Sequence, residues 1–518
     1  MKKATLLNIF FPILICFYSN NSTSQISSIQ WQKSLGGSAY DYSKEIVHTS
    51  DGGFITAGYS ESTNGNVAFN HGGGDCWIVK SNSSGTIEWE KTYGGTGFDY
   101  AYSIEQTIDG GYIVAGYTES NDGDITISKG AGDCWIIKLD VNGNIQWQKT
   151  IGGSLIDNSQ CIKQTIDGGY IICGYSESSD GDVTSNKGNG DCWIIKLDNL
   201  GAIVWTKTLG GSSYDFAQDI KQTADGGYIL NGGTNSSDID VSTQKGNGDC
   251  WIVKLNNLGT IEWQKTYGGS NYDFAQSVDL TNDGGYILSG YSESNDGDIT
   301  SDHGAGDCWV LKLDYNGSIQ WQKSLGSSGN DYAFCIKQLL TGGYILTGYS
   351  ESNDGDVTGN HGNYDCWVVK LDDLGVLQMQ KSMGGSGVDI GYSIEEISTN
   401  SYLIAGYSES NDGDVSGNFG NGDSWVLKLN TSSVGVAESV AKQGIIVFPT
   451  ISSGNYHFTG LEGESTIEIF DVAGKLILNI LTSNSDHSIN LADYSKGIYF
   501  YSIHKNNVFI TSGKIILN

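Results

Sequence analysis

Hydrophobic and polar positions follow one pattern that returns every 58 residues along most of the chain. The tryptophan of Ile-Gln-Trp-Gln-Lys at Trp31 recurs at this spacing as far as Trp321, and the tryptophan of Asp-Cys-Trp recurs from Trp77 to Trp425. Seven copies of the pattern cover about residues 29–434. Repeats of this length are typical of solenoids and propellers, in which each unit buries its apolar faces against its neighbours.

Each repeat contains four strand-like segments. In the second repeat the segments are residues 87–91, 102–107, 112–117 and 134–139. Turn sequences such as Asp-Gly-Gly and Asn-Gly separate them, which favours hairpins of antiparallel strands. Residues 134–137 are apolar on both faces, which indicates a strand buried between two sheets, whereas residues 145–148 alternate, which indicates an outer strand with one face in water.

Four antiparallel strands in each of seven repeats predict an all-β, seven-bladed β-propeller. The chain enters on an outer strand and its last complete repeat ends on a third strand. We therefore expect the N-terminal strand to complete the last blade, which removes an exposed sheet edge. The expected organisation is a propeller over residues 29–430, a linker over 431–443 and a small C-terminal β-sandwich over 444–518.

The repeat wording is similar to a known family. The matching segments are residues 210–217 (Gly-Gly-Ser-Ser-Tyr-Asp-Phe-Ala), 283–287, 290–294 and 307–314. In these segments the chain resembles the secreted bacterial β-propeller repeat family. The resemblance implies the propeller fold and leaves the ligand open, because propellers carry many unrelated functions.

The first 24 residues have the form of an export signal. Lys2 and Lys3 precede an apolar stretch over residues 4–17, and Ser22-Thr23-Ser24 supplies small residues for cleavage before Gln25. The apolar stretch is too short for a membrane-spanning helix. We expect residues 1–24 to be removed and the remaining chain to act outside the cytoplasm.

The C-terminal 75 residues, 444–518, have a different pattern, with strand-like segments at 445–448, 466–470, 497–503 and 514–517. Residues 447–449, 467–475, 496–500 and 513–517 resemble the C-terminal sorting domain of type IX secretion substrates in Bacteroidetes, although Pro449-Thr450-Ile451 departs from the usual Pro-Asn-Pro. The resemblance implies that the type IX secretion machinery is a partner through residues 444–518, and that the protein is secreted or on the outer cell surface. The alternative is an ordinary accessory β-sandwich.

Charge excludes one class of partner. The chain has 59 acidic residues and 28 basic ones, a net charge of −31, and every basic residue is lysine. A polyanion is repelled by this charge, and no arginine is available for bidentate contacts to phosphate or guanine. We therefore expect no nucleic-acid partner.

Strand order places the long loops and the inter-blade connections at one end of every blade, and nearly all of the net charge lies in them.

The acidic loops are the candidate binding surface. Sequences such as Glu-Ser-Asn-Asp-Gly-Asp offer the oxygen ligands that calcium prefers, without matching an EF-hand loop. Calcium, a polysaccharide and a cationic protein surface are the candidate ligands, and local Asx turns that only stabilise the loops are the alternative. The candidate residues are Glu119, Asp122, Asp124, Glu177, Asp180, Asp182, Asp238, Asp240, Glu293, Asp296, Asp298, Glu351, Asp354, Asp356, Glu409, Asp412 and Asp414.

One aspartate in each inter-blade connection occurs in all seven repeats, which favours a structural role in the turn over ligand binding. We expect the aspartate of Asp-Cys-Trp, as at Asp75, to cap the start of its strand. The structural aspartates are Asp41, Asp99, Asp157, Asp215, Asp273, Asp331 and Asp389.

Repeats one and four depart from the loop pattern, through Asn64-Gly65-Asn66 and Asp238-Ile239-Asp240, and mark either a single asymmetric site or drift.

The sequence contains no motif for catalysis or a metal centre. No histidine pair has metal-ligand spacing, and no nucleophile elbow or phosphate-binding loop occurs. Cysteines stand where sister repeats have small residues, as Cys161 does for Ser103, which predicts buried free thiols.

Two functions stay open: a non-catalytic binding or adhesion module, and a glycan-active enzyme that uses loop carboxylates. Tyrosines at the loop bases, such as Tyr59 and Tyr117, pack between blades or contact the ligand.

Overall fold

The computed structural model describes residues 26–431, 446–448, 451–461, 463–471, 475–505 and 508–517. The chain divides into two compact units between residues 433 and 434. The expected signal peptide, residues 1–24, lies outside the described residues, as does the expected linker apart from Thr431. The Pro449-Thr450 motif and most of the turn over residues 471–475 also lie outside them.

The first unit consists of strands joined by turns and loops. Its strands are Ile26–Leu35 (β1), Asp41–His48 (β2), Phe54–Ser60 (β3), Asp75–Ser81 (β4), Ile87–Tyr93 (β5), Asp99–Gln106 (β6), Tyr112–Thr118 (β7), Asp133–Leu139 (β8), Ile145–Ile151 (β9), Asp157–Gln164 (β10), Tyr170–Ser176 (β11), Asp191–Leu197 (β12), Ile203–Leu209 (β13), Asp215–Gln222 (β14), Tyr228–Thr234 (β15), Asp249–Leu255 (β16), Ile261–Tyr267 (β17), Asp273–Leu280 (β18), Tyr286–Ser292 (β19), Asp307–Leu313 (β20), Ile319–Leu325 (β21), Asp331–Gln338 (β22), Tyr344–Ser350 (β23), Asp365–Leu371 (β24), Leu377–Met383 (β25), Asp389–Ser398 (β26), Ser401–Ser408 (β27) and Asp423–Thr431 (β28).

These strands form seven four-stranded antiparallel sheets, each of which is one blade of a β-propeller. The predicted fold is therefore confirmed. In six blades the strand order follows the sequence, as in β6-β7-β8-β9. The innermost strand begins earlier than the sequence pattern suggests, at Asp99 instead of residue 102, because Asp99 pairs with Thr118 in the register of the β6–β7 hairpin.

The seventh blade joins the two ends of the propeller. Its strand order is β1-β28-β27-β26, so the N-terminal strand is the outer strand of the last blade, as predicted. Leu35 pairs with Ser424, and the indole Nε1 of Trp425 donates to Oε1 of Gln32 at 2.8 Å. The pairing covers the edge of β28 that would otherwise be exposed.

The third strand of each blade is the centre of the core. Every residue of β8 is buried, and Trp135 is 1% exposed. Trp135 packs against Ile55, Cys76 and Ile78 of the preceding blade, which shows that apolar contacts between blades hold the ring together. The predicted free thiols are confirmed, because the cysteines of the described residues are all buried and unbridged.

The first strand of each blade is innermost and has two different faces. Its buried and half-buried residues alternate over the first part, as in β6, and a bulge interrupts the pairing between Ala101 and Ser103. Side chains of one inner strand bind the backbone of the next: Glu45 Oε2 accepts from Ile104 N at 2.7 Å, and Ser103 Oγ accepts from Ile162 N at 3.1 Å. The half-buried side chains of all seven strands line a channel along the axis of the ring.

The second unit is a two-sheet β-structure with its own core. One sheet has three strands and the other has five. Tyr456, Phe458, Ile467, Ile489 and Ile503 are among the residues buried between them. The sequence pattern predicts four of these strands and, through the hairpin turn over residues 471–475, a fifth strand after it. The remaining three strands are only two to five residues long and give a weak signal. The strands are Ile446–Phe448 (β29), Ile451–Ser452 (β30), Asn455–Thr459 (β31), Ser465–Phe470 (β32), Leu476–Thr482 (β33), Asp486–Asn490 (β34), Gly497–Lys505 (β35) and Val508–Leu517 (β36).

Candidate functional site

Long loops and inter-blade connections lie together at one end of the propeller, which we call the loop face. Residues 119–132 connect β7 to β8, and residues 152–156 connect β9 to the next blade. A parallel bridge between Gly132 and Ile156 joins the two segments, and equivalent bridges occur at the other blades. The short turns at the opposite end, such as residues 107–111 and 140–144, form what we call the turn face.

The aspartate of each inter-blade connection is buried at the loop face. Asp99 accepts hydrogen bonds from Gly95 N at 2.8 Å, from Ser120 Oγ at 2.7 Å and from Thr118 Oγ1. These contacts tie the inter-blade connection to the following loop, which is the geometry of the turn-fixing role expected from the sequence. The equivalent hydrogen bond, which the carboxylate accepts from the backbone N–H of the glycine or serine four residues earlier, recurs at Asp41, Asp157, Asp215, Asp273, Asp331 and Asp389.

The two aspartates of each Asp-Gly-Asp loop contact backbone of the inter-blade connection that precedes their blade. Asp122 Oδ1 accepts from Thr96 N at 2.8 Å, and Asp124 Oδ2 accepts from Gly94 N at 3.2 Å. The bond to the first aspartate recurs at Asp180, Asp238, Asp296, Asp354 and Asp412, and the bond to the second recurs at Asp182, Asp240, Asp298 and Asp356. The backbone N–H of Asp414 donates to Gly384 O at 2.8 Å, in the equivalent place.

Lysines tie the second aspartates of three loops to the preceding blade. Lys129 contacts Asp182, Lys187 contacts Asp240, and Lys245 contacts Asp298. No group of three or more His, Cys, Asp or Glu side chains within the described parts of the chain is arranged to hold a metal ion. Calcium binding therefore stays a prediction to which no cluster of the described residues corresponds.

A second buried aspartate, from Asp-Cys-Trp, lies beside the first. Asp75 Oδ2 accepts from His71 N at 2.8 Å, whereas its Oδ1 is buried and accepts no hydrogen bond from the described residues. A Cβ on Gly94 would lie 2.7 Å from Asp75 Oδ1 and 2.6 Å from Asp99 Oδ2, so only glycine fits between the two carboxyl groups. The unpartnered oxygen recurs at Asp133, Asp191, Asp249, Asp307, Asp365 and Asp423.

In every blade the aspartate before Cys-Trp, or before Ser424 in the last blade, has a pKa above its ordinary value because it is buried. Burial raises the pKa of Asp191, Asp249 and Asp423 to about 6. The neighbouring aspartate adds a smaller increase, since Asp215 acts in this way on Asp191 and Asp273 acts on Asp249. Like charges that share a buried site favour protonation. The sequence analysis took Asp75 and its counterparts as strand caps and missed this pairing between blades.

The glutamates of the loops contact tyrosines at the loop bases. Tyr117 OH donates to Glu119 Oε1 at 3.2 Å, and Tyr407 OH donates to Glu409 Oε1 at 2.9 Å. Tyr291 and Glu293 form the same pair at 3.2 Å. Glu351 instead accepts from Asn330 N at 3.0 Å, and Glu177 N donates to Ile156 O at 2.9 Å. The candidate carboxylates thus form a ring of separate contacts, one blade at a time, instead of one cluster.

Aromatic side chains form a concave surface on the loop face, at the first, second and seventh blades. Tyr59 and Tyr100 stack with their ring centroids 4.5 Å apart, and the ring centroids of Tyr42 and Tyr392 are 6.1 Å apart. The cavity holds about 380 Å³. Two of its rings are open to solvent, since Tyr40 is 45% and Phe98 is 41% exposed. We call this cavity the aromatic basin; it is lined by Tyr40, Tyr42, Tyr59, Glu61, Phe98, Tyr100, Tyr392 and Tyr407.

The channel continues behind the basin, and Tyr392 lines both. Opposite charges are paired inside it: Lys163 Nζ lies 2.9 Å from Glu45 Oε1 of another blade, and Lys221 Nζ lies 2.9 Å from Asp219 Oδ1 of the same strand. Burial alone would raise the pKa of Glu45, and the Lys163 ammonium with hydrogen bonds from Ser103 and Ile104 lowers it below its ordinary value. Charges of both signs therefore stay ionised inside the ring.

The basin and the channel could not be predicted from the features that the repeats share. Position 44 and its counterparts at 102, 160, 218, 276, 334 and 392 hold Lys, Tyr, Gln, Gln, Gln, Phe and Tyr, while the surrounding strand pattern is constant. Comparing the repeats column by column would have found these variable positions. Their convergence on one axis requires the closed ring.

Solved structures similar to this chain share little sequence with it. The extracellular domain of a putative hybrid two component system from B. thetaiotaomicron is 10% identical, with a TM-score of 0.42, over 94% of this chain and 59% of that chain. Sqt1 from Chaetomium thermophilum is 12% identical, with a TM-score of 0.40, over 77% of this chain and 100% of that chain. The chain therefore spans less than two thirds of the length of the first of these proteins.

PorZ of Porphyromonas gingivalis, a bacterial surface component of the type-IX secretion system, is 10% identical with a TM-score of 0.21, over 93% of this chain and 99% of that chain. Likenesses this weak say nothing about ligand or activity. A search of curated proteins finds no match at a significant level. None of the residues that the structure describes forms a helix with the length and apolarity needed to cross a membrane.

The second unit matches a family directly. The profile of the secretion system C-terminal sorting domain covers residues 447–518, which include β29 to β36 apart from Ile446. Residues 447–518 are a secretion system C-terminal sorting domain. A sorting domain of this kind is recognised by the type IX secretion machinery. The protein is accordingly secreted or attached to the outer cell surface, as the sequence predicts.

Proposed function

We propose that the propeller is a non-catalytic extracellular binding module and that its ligand occupies the aromatic basin. The observation that carries the proposal is the basin itself: a concave site of about 380 Å³ on an exported protein, lined by seven aromatic rings and one carboxylate. Concave surfaces with a few polar groups are the usual places where small ligands bind. The basin lies on the loop face, where the sequence places the candidate binding surface.

A polysaccharide is the ligand that fits this lining best. The side chains of Tyr40 and Phe98 are partly exposed, and the face of an aromatic ring carries the negative side of its quadrupole, on which the C–H groups of a sugar ring rest favourably. Glu61 adds a hydrogen-bond acceptor for sugar hydroxyls, and Tyr59 OH donates to it at 2.9 Å, which holds it in place. A polyanionic glycan is disfavoured by the acidic loops that surround the basin.

The glycan-active enzyme is the weaker alternative. Glycoside hydrolysis ordinarily uses two carboxyl groups on either side of the scissile bond. Glu61 is the single carboxylate among the described residues that line the basin. The paired aspartates of the loop face are fully buried and separated from solvent, so a sugar does not reach them. Binding without hydrolysis is the function we infer.

A glycan array probed with the full chain tests this proposal, followed by calorimetry on the best ligand. We expect Phe98→Ala and Tyr40→Ala each to weaken binding about 10-fold, which corresponds to the loss of one aromatic contact. Phe419→Ala is the matched control, because Phe419 is 57% exposed and lies in a loop outside the basin lining. Equal affinity of all three variants, or hydrolysis of the bound glycan, would contradict the proposal.

A further inference from the structure

Four lysines belong to the wall of the channel or reach into it, and three of them are paired with a carboxylate. Lys163 pairs with Glu45, Lys221 pairs with Asp219, and Lys337 lies 3.3 Å from Glu395 Oε2. Lys44 is different. No carboxylate of the described residues lies within 4.0 Å of its ammonium nitrogen, and it donates no hydrogen bond to them.

Aromatic rings surround Lys44 in place of a carboxylate. Its Nζ lies 4.4 Å from the ring centroid of Tyr392 and 4.8 Å from that of Phe334. Contacts of this kind hold the side chain in position but stabilise the charge by only about 0.5–2 kcal/mol. Gln160, Gln218 and Gln276 complete the same level of the channel with neutral side chains. The amine thus sits among groups that leave its charge uncompensated.

Lys44 is also unique within the sevenfold repeat. The equivalent position of the other six inner strands holds tyrosine, glutamine or phenylalanine, never lysine. A functional group that must occur once is expected to stand out from its repeat in this way. Repeat one is, in addition, one of the two repeats whose loop departs from the common pattern.

The chemical consequence is an amine that gives up its proton easily. Burial lowers the pKa of Lys44 to about 8 from an ordinary 10.5, and the thiol of Cys335 opposes this with a smaller effect. Tyr392 and Phe334 add no charge of their own at neutral pH. A lowered pKa is how proteins turn a lysine into a nucleophile.

We propose that Lys44 is a nucleophilic amine that captures an aldehyde inside the channel as a Schiff base. The lone pair of Nζ attacks the carbonyl carbon, the π electrons of the C=O bond move to oxygen, and a proton passes from nitrogen to that oxygen to give a carbinolamine. Loss of the hydroxyl group with one further proton, as water, forms the C=N bond. No oxidant, reductant or cofactor enters this balance.

The aldehyde reaches Lys44 through the aromatic basin. Tyr392 forms part of the basin and also lies beneath the Lys44 ammonium, so the amine is one ring away from the open cavity. Carbonyl capture goes beyond the proposed glycan binding and does not require it, because any small aldehyde tests the amine directly. A glycan with an open-chain reducing end is one ligand that carries such a group.

Reductive trapping with propanal and cyanoborohydride at pH 7.5 tests the inference on the unmodified full chain. Peptide mapping measures the initial rate at which each lysine gains a propyl group. We expect Lys44 to react at least 10-fold faster than two internal controls. Lys163 lies in the same channel but pairs with Glu45, and Lys33 is exposed on β1. A rate at Lys44 equal to or below either control would overturn the inference.

Two further measurements separate reactivity from access and from folding. Lys44→Arg should abolish the fast phase while Lys33 keeps its rate, and its circular dichroism should match that of the parent protein. If that variant does not fold, the rates mapped on the parent protein decide the question alone. If the Phe98→Ala variant loses glycan binding and Lys44 is still labelled fast, both proposals stand. If Lys44 is labelled slowly while glycan binding is intact, only the proposal of a nucleophilic Lys44 is refuted.

Discussion

The two ends of each blade use the same residue type in opposite ways. In the third blade Asp191, at the loop face, is fully buried, and burial raises its pKa to about 6. Asp167, at the turn face, is 61% exposed and lies 3.0 Å from Lys196 Nζ. Burial raises the pKa of Asp167, but hydrogen bonds from Thr165, Gly169 and Lys196 together lower it below its ordinary value.

The difference shows that an acidic residue is not a unit of negative charge until its surroundings are known. The net charge of −31 counts Asp191 and Asp167 alike. At the loop face two buried aspartates of neighbouring blades compete, so the protonated form is favoured. At the turn face a buried lysine needs its carboxylate ionised.

Acidification should act on the two faces in opposite directions, and this is the largest expected effect because it involves all seven blades. Carboxyl groups with a raised folded pKa, such as Asp191, Asp249 and Asp423 at about 6, hold their proton in the folded state where the unfolded state has lost it. Their contribution to the stability of the fold is complete below pH 3.8, which is the pKa in the unfolded state, and it is lost as the pH rises through 6. The melting temperature should therefore rise from pH 7.5 to pH 5.

Further acidification should reverse the trend. Partial burial would raise the pKa of Asp51, Asp225 and Asp283 at the turn face, but hydrogen bonds and the charge of their lysines together lower it to about 2. Stability from these groups is present above 3.8 and is lost as the pH falls toward 2. Calorimetric scans from pH 8 to pH 2 measure the profile. A melting temperature that falls steadily from pH 7.5 to pH 5 would contradict the raised pKa values of the loop face.

Asp191→Asn should stabilise the protein at pH 7.5. The substitution removes a buried charge beside Asp215, and the amide can place its N–H₂ group at the unpartnered Oδ1 position while its oxygen still accepts from Lys187 N. A pKa shift from 3.8 to about 6 corresponds to about 3 kcal/mol, which is the upper limit of the gain. Urea denaturation at pH 7.5 measures the change, and the gain should vanish near pH 4.

Asp167→Asn makes the same change of charge at the other end of the same blade and should have the opposite sign. Lys196, which is 6% exposed, then keeps its charge without a carboxylate partner. We expect a loss of about 2 kcal/mol in the free energy of unfolding, measured by the same urea denaturation. If both aspartate variants change stability in the same direction, the contrast between the two faces is wrong.

Ile239→Gly should give the smallest effect and concerns backbone shape at the loop face. Ile239 has a φ of 59°, whereas the six equivalent positions are glycines such as Gly181 with a φ of 65°. A β-branched residue is strained in the left-handed region by about 1–2 kcal/mol. We expect a gain of about 1 kcal/mol in thermal unfolding, and Gly181→Ile as the matched reverse change should destabilise. A neutral result for both variants would show that these loops relax freely.

Much of the fold could be predicted because it depends on constant features of the repeat. The tryptophans, the Asp-Gly-Gly turns and the buried third strand recur in step, so period and alternation alone predict seven blades. The closure by β1 followed from the strand on which the chain enters. The inner strand was predicted to begin at residue 102, whereas Asp99 is already paired with Thr118.

Less of the candidate site could be predicted. The acidic positions were found, and the structure shows that the first and second aspartates of the loops accept backbone N–H groups, as Asp122 does from Thr96. Their separation into one contact per blade depends on how far apart the closed ring places the loops. Tyr40 and Phe98 were not predicted, because their position holds an aromatic residue in only four of the seven repeats.

The sequence by itself determined which residues can form strands, how many blades they build, that the C-terminal segment is a sorting domain and that arginine chemistry is not available. Each of these depends on local pattern or on composition. Only the tertiary structure decided that Lys163 meets Glu45, 118 residues away, that Asp75 lies beside Asp99, and that Lys44 is left among aromatic rings. The contacts of Lys163 and Lys44 arise because the closed ring brings one side chain from every inner strand to a common axis, and that of Asp75 arises because neighbouring blades pack side by side. Alternation along a single strand is the same whether its face meets water, a neighbouring blade or a channel.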